Sequence, residues 1–253
     1  METELVNLKK EYYTFLDNKA KTISEKLSKN KPITQEILTA LNELYKSVDC
    51  EKEFINNTFE CAYHMPVTSE FEFFVSRILY HYSEIKKLDW KIYLRRQSKG
   101  KDGKLHVPDI RIEKNSKTMA IIEIKAKAGW IQPFFSSERV KKDLKRFKAG
   151  KSDFHPMKKI AEIKKSLQAY SYNYNIPYKK VYLLLPTLAL VHRKKNERNI
   201  SDYKKDFSKN SGLNKQNLIL LSQNLNLNLS SKNIPNDHFN PTNEFENFIK
   251  VIS

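Results

Sequence analysis

Two apolar runs, each alternating with polar residues, lie between Leu105 and Trp130 and are joined by a short polar turn: LHVPDIRIEKNSKTMAIIEIKAKAGW. Alternation with a period of two predicts two strands, and the polar stretch from Lys114 to Lys117 predicts a hairpin between them. With the turn centred on Ser116, cross-strand partners carry numbers that sum to 232, so Asp109 stands opposite Glu123. Side chains alternate between faces, which puts Glu123 and Lys125 on one face. Asp109 joins them from the neighbouring strand, its side-chain root about 5 Å away. A slip of one residue would turn Asp109 to the other side of the sheet.

Two carboxylates so placed, with AIIEIKA around one of them, repel each other and resist ionisation unless a cation joins them. A hard divalent ion resolves the conflict. Magnesium takes oxygen ligands and keeps several waters, so one or two carboxylates and a substrate phosphate complete its shell. Asp109 and Glu123 are the candidate metal ligands, with the carbonyl of Ile124 as a further oxygen, and manganese is expected to substitute. Lys125 would orient or help deprotonate a water, or offset charge on a pentacovalent phosphorus.

The surrounding chain predicts a frame for this hairpin. Helices are expected over 4–29, from Gln35 to Val48 behind Pro32 and Thr34, and from Thr68 or Ser69 onward. In the last of these Phe71, Phe74, Val75, Ile78, Leu79 and Tyr82 form one stripe. DWKIYLRR, Asp89 to Arg96, reads as a strand, and QSKGKDGK after it as a loop. Helical patterns follow at 137–148 and 156–175. Val181 to Leu185 (VYLLL) reads as a buried strand stopped by Pro186. Residues 192–216 read as loop, Leu218 to Leu221 as another strand, and Glu244 to Ile252 as a terminal helix. The order predicts an α/β fold around a mixed sheet, with three antiparallel strands and a helical crossover to VYLLL. Residues 1–66 are expected to form a helical region packed on a core of residues 67–253, which ends in a C-terminal extension.

Pro108-Asp109, thirteen residues, then Glu123-Ile124-Lys125 resembles the motif of the PD-(D/E)XK nuclease superfamily, which includes many restriction endonucleases. The resemblance covers roughly residues 68–186. It implies an αβββαβ restriction-endonuclease-like core and metal-dependent hydrolysis of DNA that leaves 5′-phosphates. It also implies a helix acid that reaches the metal, often through water; Glu72 in SEFEFFVSRIL is the candidate and Glu70 the reserve. Gln168-Ala-Tyr-Ser-Tyr172 is similar to a Gln-x-x-x-Tyr element of some members, which makes Gln168 and Tyr172 candidate catalytic residues. The gap of about forty residues between Lys125 and Gln168 departs from that subgroup.

Other residues carry less specific signals. Lys127 continues the face of Lys125, and Lys141 and Lys145 lie on the basic helix SERVKKDLKRFK; all three are candidate phosphate contacts, with solvated lysines as the alternative. Core packing is the favoured reading of Trp130, Phe134 and Phe135. The six histidines and two cysteines show no metal-ligand or disulfide spacing.

A formal charge of +17 favours polyanionic partners, because lysines brought to phosphates release counterions. Only 8 of the 46 basic residues are arginine, and abundant lysine, asparagine and isoleucine also match AT-rich codon usage. No secretory leader or apolar span is evident, so a cytoplasmic location and no membrane association are expected. No small-molecule cofactor is apparent. The leading expectation is a stand-alone, restriction-type DNA endonuclease, for which cutting both strands favours a homodimer. The alternatives are an exonuclease or repair nuclease, and an inactive nucleic-acid-binding module. No residue is identified that reads a 2′-hydroxyl, so RNA stays a second candidate substrate.

Overall fold

The computed structural model describes residues 2–45, 67–125, 137–151, 158–187, 200–212, 214–223 and 239–253. Helix α1 (Glu2–Ser28) buries Leu16, Ala20, Ile23 and Leu27, spaced four, three and four residues apart on one face. That face packs on α3 (Val67–Lys86), whose buried stripe runs from Val67 through Phe71, Phe74, Val75, Ile78 and Leu79 to Tyr82. Between them, residues 34–45 form α2. Its first turn is capped from far away. The buried carboxylate of Glu246 accepts the backbone N–H groups of Ile33 and Thr34 at 2.8 and 3.0 Å. It thereby satisfies N–H groups that a helix start leaves orphaned.

A five-stranded sheet follows, in the order β1 (Lys91–Leu94), β4 (Ile110–Lys114), β5 (Lys117–Ile124), β6 (Val181–Leu185), β7 (Leu218–Leu220). The first three strands are antiparallel; β5, β6 and β7 run parallel. The sheet is therefore mixed, and the architecture is α/β. Helix α4 (Ser137–Lys148) follows β5, and α5 (Lys158–Asn173) precedes β6 as a helix between parallel strands must. Helix α6 (Ile200–Ser211) lies between β6 and β7, and α7 (Glu244–Ile252) closes the described chain. No described helix is long and apolar enough to cross a membrane.

Alternation along the strands divides the core in two. Ile110, Ile112, Ile122, Ile124, Tyr182 and Leu184 join the cluster that contains α1, α2, α3 and α7. Ile121, Val181, Leu183 and Leu185 face the other way, onto Ile163, Leu167 and Tyr170 of α5. The N-terminal helices thus share one continuous core with the sheet.

The structure departs from the sequence reading in three places. Residues 97–104 were expected to be loop. They contain most of a small antiparallel ribbon, β2 (Ser98–Lys99) with β3 (Leu105–His106), because Gly103, at a φ of 74°, allows the chain to double back. Within the expected 192–216 loop, Ile200–Ser211 is helical: Ile200, Tyr203 and Phe207 recur three and four residues apart, a one-sided pattern set among polar residues. The strand expected from Asp89 to Arg96 spans only Lys91–Leu94, because Asp89 and Arg95 adopt left-handed φ values of 55° and 44°.

Candidate functional site

The hairpin reaches its register by an indirect route. Lys114 pairs with Lys117 around a two-residue turn in which Asn115 and Ser116 both have positive φ, 51° and 60°. Such a turn matches the twist of its flanking strands. It centres the hairpin between those residues, so the nearest pairs sum to 231. Glu113 then faces Thr118, whereas Ile112 faces Ala120. Met119 is the extra residue of a bulge, and beyond it Arg111 faces Ile121 and Ile110 faces Ile122. This is the register in which Asp109, one residue before β4, comes level with Glu123.

Asp109 and Glu123 therefore lie on the α5 face. The Asp109 carboxylate accepts the backbone N–H of Ile124 at 2.7 Å, and its carbonyl accepts the N–H of Arg95 at 2.9 Å. Glu123 is ion-paired with Lys125 on its own strand. The buried Tyr170 hydroxyl stands 3.3 Å from Glu123 Oε2 and 3.3 Å from the carbonyl of Val107. From the opposite layer comes Glu72, whose side chain is 1% exposed and ion-paired with Arg95. Arg95 Nη2 donates to Glu72 Oε1 at 2.9 Å, and Nη1 donates to Ser69 Oγ at 3.1 Å.

Burial dominates the electrostatics. It pushes Glu72 up to about 7, with help from the Asp109 charge and against the pull of Arg95 and Lys125. Burial also raises Asp109, although the Ile124 N–H, Lys125 and Arg95 oppose it. Glu123 is raised by burial and by Asp109, and the Lys125 ammonium only partly offsets them. For Lys125, burial would depress the value, but Glu123, Asp109 and Glu72 outweigh it and the net direction is upward. Lys125 is thus held as an ammonium. Three acids face two fixed cations, so the group carries a proton or takes up a further cation.

A hard cation suits this donor set. Asp109 and Glu123 supply half-buried carboxylates, and the Ile124 carbonyl follows Glu123 directly in sequence. Among the described residues no three acidic, histidine or cysteine side chains form a complete metal-ligand cluster. An ion here would rest on two carboxylates and keep waters, as magnesium does.

The other candidates are placed differently. Gln168 is exposed, and Tyr172 is 62% exposed with the Lys101 ammonium 5.8 Å above its ring. The site is reached instead by Tyr170, with Tyr174 one turn further on; Ile163, Leu167, Tyr170 and Tyr174 form the stripe that faces the sheet. That stripe was visible in the sequence. Glu70, the reserve helix acid, is half-buried beside Glu72. Lys141 and Lys145 are exposed on α4. Lys127, Trp130, Phe134 and Phe135 lie outside the described residues, as do both cysteines. Arg95 was missed, since nothing local marks it apart from Arg96.

Comparison with known protein families, with curated proteins and with solved structures found no match.

Proposed function

We propose that this protein is a divalent-metal-dependent nuclease that hydrolyses phosphodiester bonds in DNA as an endonuclease of restriction type. One observation carries the reading: Asp109, Glu123 and Lys125 gather at the ends of adjoining strands, on one face, with raised carboxylates around a fixed ammonium. The order α3, β1, β4, β5, α5, β6 runs parallel to the αβββαβ order of the PD-(D/E)XK core, with the β2–β3 ribbon inserted after the first strand and α4 inserted before α5. The net charge of +17 agrees with a polyanionic substrate.

Asp109, Glu123 and the Ile124 carbonyl would hold the ion. When bound, magnesium or manganese lowers the pKa of a water and neutralises charge on the phosphoryl oxygens. The protein supplies the rest. The Ile124 N–H fixes the rotamer of Asp109, and Tyr170 fixes Glu123. Lys125 presents a permanent positive charge where negative charge develops on phosphorus. Arg95 holds Glu72 beside Asp109. The exposed placement of Gln168 and Tyr172 lends no support to the exonuclease subgroup.

The test is cleavage of closed circular plasmid by the purified chain in magnesium, followed by sequencing of the ends. Nicked or linear product with 5′-phosphates is expected, together with its loss in Asp109→Ala. Full cleavage by Asp109→Ala, or none by the wild-type chain in either magnesium or manganese, refutes the reading.

A further inference from the structure

The ribbon β2–β3 has two unlike faces. Ser98 pairs with His106 and Lys99 with Leu105, so Ser98 and His106 point one way and Lys99 and Leu105 the other. The inner side is fastened to α5. Ser98 Oγ lies 2.6 Å from the Tyr174 hydroxyl, which donates to the His106 carbonyl at 3.3 Å. The His106 ring meets Asp102 at 2.9 Å, and Asn173 accepts the Asp102 N–H at 3.1 Å. A Cβ on Gly100 would stand 2.4 Å from Asn173 Oδ1 and 2.7 Å from His106 Cδ2, so only glycine permits this approach. The ribbon is therefore fixed to the helix whose Tyr170 touches Glu123.

The outer side is bare. Leu105 is 65% exposed, and Val107, two residues before Asp109, is exposed as well. Lys99 and Lys104 are exposed and make no ion pair with any described residue. Lys101 reaches Asn175 at 2.9 Å and lies over the exposed ring of Tyr172. A rigid ribbon thus carries an apolar tip flanked by uncompensated lysines, and it runs directly into the candidate ligand Asp109.

We infer that this ribbon engages a groove of duplex DNA beside the bond to be cut. Lys99 and Lys104 meet the phosphates on its rims, and Leu105 meets base edges between them. The inference rests on the nuclease reading, which places the substrate at Asp109. A two-stranded ribbon has the width that the major groove admits. Unpaired lysines match the phosphate rims, where each neutralised phosphate releases counterions. Leucine at the tip offers an apolar contact of the kind thymine methyls accept. The fastening matters, since a floppy ribbon would spend binding free energy on ordering.

The experiment measures binding of a fluorescein-labelled 30-base-pair duplex to the full chain in EDTA, across a salt series, alongside plasmid cleavage in magnesium. Lys99→Glu with Lys104→Glu should weaken binding by at least ~10-fold and lower the salt slope by about 2. The control pair Lys29→Glu with Lys31→Glu makes the same charge change on exposed residues between α1 and α2, in the layer on the other side of the sheet from α5. It should change affinity less than ~3-fold. Leu105→Ser should cost several-fold in affinity and leave the salt slope alone. Equal losses in the two lysine pairs, or wild-type binding by the ribbon pair, overturn the ribbon. If the ribbon variants also cut like wild type, the nuclease reading survives without it. If the wild-type chain itself neither binds nor cuts, the nuclease reading has failed.

Discussion

The carboxylate of Asp109 is anchored to the backbone N–H of Ile124 at 2.7 Å, so one candidate ligand is held by the strand that presents the other. The bond fixes the separation of the two carboxylates through the backbone and not through a flexible side chain. Asp109→Asn keeps the shape and removes the charge. It should abolish magnesium-dependent cleavage by ~10²-fold or more, while the melting temperature in EDTA holds or rises, because a buried charge is gone. A melting temperature that falls by several degrees would show that the Asp109 charge stabilises the fold.

Tyr170 is the partner of Glu123 Oε2, at 3.3 Å. Its pKa is pushed up by burial and then by the neighbouring carboxylates, so it stays a neutral donor. Tyr170→Phe removes one hydroxyl from the shell that orients a candidate metal ligand. Such losses typically cost ~10-fold in metal affinity and about 1 kcal/mol in stability. Calorimetric titration with manganese measures the first. Tyr172→Ala, on the exposed face of the same helix, should titrate like wild type; a larger effect there than at Tyr170 would reverse the assignment.

Lys125 keeps its proton at neutral pH, because Glu123, Asp109 and Glu72 together outweigh the cost of its burial. In the proposed nuclease it would act through charge and not as a general base. Lys125→Gln should therefore lose ~10²-fold in rate, while Lys125→Arg retains part of it with an unaltered pH profile between pH 6 and pH 9, roughly the range open to a carboxylate site of this kind. A rate limb that moves upward in Lys125→Arg would restore the base.

Glu72 makes the metal-free protein sensitive to pH. Its folded value is raised from 4.5 to about 7, so the neutral acid is the form the fold prefers. The corresponding stabilisation is complete below the unfolded value and is lost as pH rises through about 7. Its size is on the order of 3 kcal/mol. In EDTA the melting temperature should fall between roughly pH 5 and pH 8, and Glu72→Gln should flatten that fall. Asp109 and Glu123 are raised in the same direction and leave a residual slope. Parallel curves for wild type and Glu72→Gln would remove Glu72 from the account.

What the sequence showed of this site depended on how far each cause lay along the chain. The alternation in IIEI, the apolar VYLLL and the spacing from Asp109 to Lys125 are local, and the strands formed where the pattern put them. The stripe Ile163, Leu167, Tyr170 and Tyr174 was equally local but was passed over for Gln168 and Tyr172. Both pairs satisfy a four-residue spacing, and only the apolar residues beneath Tyr170 tell which pair faces the sheet. Arg95 and the Glu246 cap could not be read locally. Glu246 caps Ile33 from 213 positions away, and Arg95 gains its meaning from Glu72 on another layer. The ribbon depends on Gly100 sitting against Asn173, a contact with no sequence signature.

The hairpin register is the most exposed point of the structure. A turn on Asn115 and Ser116 alone would place Asp109 level with Ile122, on the wrong side for Glu123; Met119 restores the alignment by adding one residue to β5. Two variants separate the turn from the bulge. Ser116→Gly relieves a side chain held at φ 60° and leaves the register alone, so stability should rise by about 0.5–1 kcal/mol. That is roughly 1–4 °C in melting temperature for a chain of this length, with manganese affinity unchanged. Deletion of Met119 removes the added residue. The β5 isoleucines are locked on both faces, so the missing residue must be made up in the hairpin. Either the strands slip, which turns Asp109 away from Glu123, or the turn opens and loses its paired end. Manganese binding should weaken ~10-fold or more in the first case, and stability should drop in both. A Met119 deletion that binds manganese and melts like wild type would mean that the bulge does not set the alignment of Asp109 with Glu123.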